Sequence, residues 1–221
     1  MGLSLTVMRI LPMRMCTVPV VILWSLAVWP LHAWSQEVVT DQVTITSARG
    51  QLFGITSGEG IARKVLASGE DVLVVESKGV TGYVQTTTRL LGFSGRLQRW
   101  ADMNLSSAEE VIAATVTPKM IIVQGQQAAY GFQSDLGRWK REPWGAGEVL
   151  VKSIVNDYVA VHITNRRALG FSALTGGFFS QDLPSGNTID QTEANANIVI
   201  IHLSGLMLVF RSGLAVWTVL P

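Results

Sequence analysis

The chain has 221 residues, of which 48% are hydrophobic and 15% charged, with 21 glycines and 17 basic residues set against 16 acidic ones. Such an apolar, glycine-rich composition excludes a disordered chain. The balance of charge excludes a protein that grips nucleic acid through a basic surface.

The first 35 residues differ from everything after them. Arg9 and Arg14 precede an apolar run from Cys16 to about Ala33, which ends in the small-residue pattern Ala33-Trp34-Ser35 before Gln36. This predicts a secretory signal peptide over 1–35. The alternative is a retained N-terminal anchor, the one route by which the chain would meet a membrane, although Pro19 and Pro30 interrupt a run already short for a bilayer span. Cys16 is the single cysteine and lies inside this segment, so the exported part carries no disulfide and must be held by packing. A bacterial periplasm or the external medium is the expected location. Without Arg9 and Arg14, 15 basic residues face 16 acidic ones.

Residues 36–221 repeat. The anchor of each unit is a glycine followed by a large apolar residue: Gly54-Ile55, Gly92-Phe93, Gly131-Phe132, Gly170-Phe171 and, with valine replacing glycine, Val209-Phe210. The spacing is about 39 residues. Eight residues after the anchor stands an aromatic column, Trp100, Trp139, Phe178 and Trp217, with Ala62 in the first unit.

Each unit predicts four strands in chain order. The first covers Asp71 to Ser77, Glu110 to Thr117, Glu148 to Val155 or Thr188 to Ala194, while the first unit offers only a stub at Glu37 to Thr40. The second is a β-branched run around Ile45, Tyr83, Ile122, Val161 or Ile200. The anchor lies on the third and the aromatic column on the fourth. The fourth is expected to be an exposed outer edge, because Gly137 to Trp144 carries Arg138, Lys140, Arg141 and Glu142. Turn residues separate units at Ser68-Gly69, Gly145 to Gly147 and Pro184 to Asn187.

Four short strands per unit, in units unable to cover both faces alone, resemble the blades of a β-propeller across residues 36–221. The local patterns Tyr130-Gly131-Phe132 with Gly137-Arg138-Trp139, and Leu169-Gly170-Phe171-Ser172 with Thr175-Gly176, are distantly similar to kelch and WD40 repeats, without the Gly-Gly pair of the former or the Trp-Asp dipeptide of the latter. The resemblance implies an all-β fold, a five-bladed β-propeller of four-stranded antiparallel blades, preceded by the signal peptide. The thin first unit leaves open how the ring closes, including completion by a second copy.

Few residues point to chemistry. His162 and His202 sit on second strands in different columns and face opposite sides; an inter-blade histidine held by hydrogen bonds is the expectation. No spacing of histidine, cysteine and carboxylates resembles a metal motif, and no cofactor fingerprint appears. Acidic residues gather where one unit passes to the next, at Glu70, Asp71, Glu109, Glu110, Glu148 and Asp190. They read as turn charges, or as an acidic channel mouth in a hydrolase. Trp100, Trp139 and Trp217 read as wedges between blades, or as sugar-stacking platforms of a lectin with repeated sites. The last strand, Leu214 to Leu220, lacks charge at a sheet edge, so Leu214, Val216, Val219 and Leu220 form the candidate partner interface. The expected function is a non-enzymatic extracytoplasmic propeller that binds another cell-envelope protein or itself.

Overall fold

A computed structural model of the chain describes residues 42–58, 60–184, 186 and 188–221. The expected signal peptide and the strand stub at Glu37 to Thr40 lie outside these residues. The described residues form β-strands and turns with no helix.

Five antiparallel sheets follow one another along the chain. Blade 1 holds β1 (Val43–Ala48), β2 (Gln51–Thr56) and β3 (Ile61–Val65). Blade 2 runs β4 (Val72–Lys78), β5 (Thr81–Thr86), β6 (Arg89–Ser94) and β7 (Arg99–Asn104), and blade 3 runs β8 (Val111–Val116), β9 (Met120–Gly125), β10 (Ala128–Gln133) and β11 (Arg138–Pro143). Blade 4 comprises β12 (Leu150–Val155), β13 (Val159–Thr164), β14 (Arg167–Ser172) and β15 (Gly177–Asp182). Blade 5 comprises β16 (Ile189–Ala194), β17 (Ile198–Leu203), β18 (Leu206–Arg211) and β19 (Val216–Leu220). Every strand pairs with its sequence neighbour, so each blade is a meander. The chain is an all-β, five-bladed β-propeller of four-stranded antiparallel blades, the first showing three strands among the described residues.

The repeat has a steric cause. Each anchor glycine lies beneath a phenylalanine ring of the following blade: Gly54 under Phe93, Gly92 under Phe132, Gly131 under Phe171 and Gly170 under Phe210. A Cβ at any of the four would come under 3 Å from that ring. The missing side chain therefore sets how closely two sheets stack, and the ring fills the space it leaves. Buried apolar clusters accordingly join neighbours in sequence: Leu52 with Leu91, Tyr83 with Phe132, Ile122 with Phe171 and Val161 with Phe210. The β13 segment Val159–Thr164 is buried at every position, as a strand sandwiched between two sheets must be.

Two expectations change. The fourth strands lie at sheet edges as expected and β11 is the more exposed edge of blade 3, but in blades 2, 4 and 5 the first strands β4, β12 and β16 carry more exposed residues than β7, β15 and β19. In blade 1 the aromatic column is not at Ala62. Phe93 pairs with Trp100 across β6 and β7, whereas Ile55 pairs with Ile61 across β2 and β3. The first hairpin is one residue shorter, so Ile61 takes the position that tryptophan holds elsewhere.

Candidate interaction surfaces

The most regular exposed feature is an apolar row on the first strands. Each ladder between first and second strands slips by one residue, between Val72 and Val74, Val111 and Ala113, Leu150 and Lys152, and Ile189 and Gln191. The extra residues are Leu73, Ile112, Val151 and Asp190. A β-bulge takes its extra residue out of the ladder and re-aims the side chain. Here it turns three aliphatic groups toward solvent: Leu73 is 56% exposed, Ile112 58% and Val151 60%. Val74, Val75 and Val149 are exposed on the same strands or beside them. Val151 also lines a cleft of about 660 Å³ between blades 4 and 5, with Arg166, Asp182 and Ile189. Among the described residues the strand edge beside the row has no further strand in its sheet, so it presents an outward row of N–H and C=O groups.

The aromatic column lies on the other edge of each blade. Trp100 Nε1 donates to the Ala62 carbonyl at 3.0 Å, Trp139 Nε1 to Ala101 at 3.1 Å and Trp217 Nε1 to Phe179 at 2.8 Å, in each case a carbonyl of the preceding blade. Each ring also tilts against the anchor phenylalanine of its own blade, with centroids 5.0 to 5.2 Å apart. Trp139 is buried; Trp100 and Trp217 are half-buried. Each of these three indoles thus ties two blades together through both its ring and its N–H.

Of the candidate interface residues, Val216 and Leu220 lie on the face of blade 5 turned away from blade 4, because they share register with Arg211 and Met207. Val219 projects from the opposite face at the free edge. Leu214 sits in the turn before β19 and is exposed.

The acidic residues between units are bound within the fold. Glu70 accepts both Nε and Nη2 of Arg89, at 2.7 and 2.6 Å, together with the Ala67 amide and the Thr86 hydroxyl. Hydrogen bonding by Arg89 holds its carboxyl down to about 2 against the opposing effect of burial. The same pair returns as Glu148 with Arg167, which also reaches Glu142 of blade 3. Glu109 between them accepts the Tyr130 hydroxyl at 2.6 Å. Among the described residues no three histidine, cysteine or carboxylate side chains gather where they could hold a metal ion.

The two histidines face opposite sides. His202 lies 3.0 Å from Glu193 on blade 5. His162 is buried with its ring edge-on to Trp144, and neither ring nitrogen has a hydrogen-bond partner. The expected hydrogen-bonded inter-blade histidine is thus an unbonded one. Burial lowers its pKa to about 4, so it stays neutral at pH 7.

Fold and surfaces together define a β-propeller repeat protein whose regular exposed chemistry is apolar. No family model matches the chain, and no curated protein does. It is similar to the crystal structure of human WBSCR16, at 8% identity over 78% of this chain and 62% of that one, with a TM-score of 0.39. Hsv2 of Kluyveromyces lactis gives 11% identity over 81% and 60%, with a TM-score of 0.37. Yeast RCC1 (Prp20), solved bound to Kap60, gives 8% over 77% and 54%, with a TM-score of 0.39. The chain spans 54% to 62% of the length of these three structures.

Proposed function

We propose that this chain is a non-enzymatic assembly module that works outside the cytoplasm and binds another protein of the bacterial cell envelope along the row Leu73, Ile112 and Val151. The observation that carries the reading is the bulge repeated at each of these residues. Three blades separately turn an aliphatic side chain into water beside an outward strand edge, an arrangement that costs stability unless something covers it. A partner strand or apolar ridge lying across the blades would bury all three side chains together, and the edge amides would fix its register. Export is supported by the pattern Arg9, Arg14 and the apolar run that ends at Ala33-Trp34-Ser35.

The test is affinity capture by the tagged full-length chain from an extract of its own cell envelope, followed by mass spectrometry. One protein recovered in stoichiometric amount, and lost from a Leu73→Asp, Ile112→Asp, Val151→Asp variant of unchanged circular dichroism, is the expected result. Capture of glycans alone, or a partner that ignores the triple variant, would sink the reading.

A further inference from the structure

The two ends of the blade series carry faces that the interior blades always cover. Among the described residues no hydrogen bond, ion pair or buried apolar cluster joins blade 5 to blade 1. On blade 4 the face toward the next blade is closed, with Val159, Val161, Ile163 and Ala168 all at 0% exposure. On blade 5 the matching face holds Ile198, Ile200, His202 and Met207, each half-exposed, with Val216 at 44% exposure and Val209 buried at 6% among them. On blade 1 the opposite face holds Phe53 and Ile55, half-exposed, with Ile61 at 69%, Val65 at 54% and the exposed Arg63 between them.

These two faces differ from the interior ones in matching ways. Every interior junction sets a glycine of one blade under a phenylalanine of the next, with tryptophan or a second phenylalanine behind it. At the free ends the glycine position is Val209 in blade 5, while the phenylalanine and tryptophan positions are Ile55 and Ile61 in blade 1. An ordinary blade cannot seat on blade 5, because Val209 has the Cβ for which the interior junctions have no room. A face with isoleucine in place of both rings has that room. Volume added on one face is volume removed from the other, as in a matched core exchange.

We infer that the face of blade 5 around Val209 binds the face of blade 1 around Ile55 and Ile61 in a second copy of this chain. The contact joins unlike surfaces, head to tail, so successive copies close into a ring if the rotation permits and otherwise extend as a chain. This rests on the reading of the protein as an assembly module, but it names a different surface from the first-strand row. Purified protein alone tests it, whereas the envelope capture tests the row, so either can fail without the other.

Light scattering on the eluting full-length chain should show a mass above one copy that rises with concentration. Val209→Arg and Ile55→Arg should each give a folded monomer. Mixed, they should give a complex of two chains, because the first keeps an intact blade 1 face and the second an intact blade 5 face. Should either arginine variant fail to fold, the size exchange decides instead: Ile55→Phe should abolish association, and Val209→Gly added to it should restore association by re-creating an interior junction. Wild-type protein that stays a single copy overturns the inference, since the two faces are then either closed within one chain or idle. Ile55→Arg that still self-associates, or folded variants that do not complement each other, overturn it as well.

Discussion

Lowering the pH should weaken this fold through His162. Burial holds the imidazole neutral, with a pKa of about 4 against 6.5 in the unfolded chain. Between those values the unfolded state binds the extra proton, so stability is complete above about pH 6.5, declines as the pH falls, and levels off below about pH 4. At about 1.4 kcal/mol per unit, the loss from pH 7 to pH 4.5 is about 2.5 kcal/mol, or about 5–10 °C in melting temperature for a chain of this size. The neighbouring blades show what belongs there instead, since Val84, Val123 and Ile201 occupy the equivalent positions on β5, β9 and β17. His162→Ile should therefore flatten the pH dependence over this range and raise stability at pH 7 by about 1–3 kcal/mol, by removing two buried ring nitrogens that have no partner. Urea unfolding followed by circular dichroism, at half-unit steps of pH, measures both effects. Parallel pH curves for the two proteins would refute the argument, because they would mean that His162 takes up its proton in the folded state at no cost.

Three further outcomes follow from the blade junctions. Trp139→Ala should cost about 3–5 kcal/mol, since it removes a buried ring and leaves the Ala101 carbonyl without its donor; an unchanged denaturation midpoint would show that the ring packs against nothing that matters. Gly131→Ala should cost about 1–3 kcal/mol by pressing a methyl group into the Phe171 ring, and Phe171→Leu in the same chain should recover part of it, which a double-mutant cycle measures directly. Glu70→Gln should cost about 1.5–3 kcal/mol by removing the bidentate partner of Arg89, which keeps Asp102. Because the Glu70 carboxyl is held at about 2, its contribution is complete above about pH 4.5 and is lost as the pH falls toward 2, a lower window than that of His162, so the two variants should alter different parts of the stability curve.

What the sequence shows of this fold is whatever packing repeats. Gly92 and Phe132 are 40 residues apart, yet each constrains the other through the stacking distance of two sheets, so their columns keep a common period and the blades can be counted from them. The tryptophans are legible for the same reason, each reaching a carbonyl 38 residues earlier. The bulges are not legible as bulges. Leu73, Ile112 and Val151 keep the same 39-residue step, but inside strands rich in β-branched residues they look like core, and only the slip of the ladder turns them outward. His162 is hidden for a related cause, since nothing in its neighbourhood in sequence tells that no donor or acceptor reaches the ring.

The departures from the repeat carry more about the ends of the molecule than the repeat itself does. Valine in a glycine column looks at first like loss of constraint in a terminal unit. Val209 argues otherwise, because the position it faces across a junction has also changed, from phenylalanine to Ile55, and the ring behind that position from tryptophan to Ile61. Faces that only ever met water would have no reason to keep their volumes matched, and would tend toward charge, as sheet edges do. Blade 5 keeps Val216, Leu220, Met207 and Ile200 beside Glu193, His202 and Arg211, and blade 1 keeps Phe53, Ile55, Ile61 and Val65 beside Arg63. The size exchange at the centre of the two faces, with apolar side chains kept around it, marks them as surfaces fitted to each other.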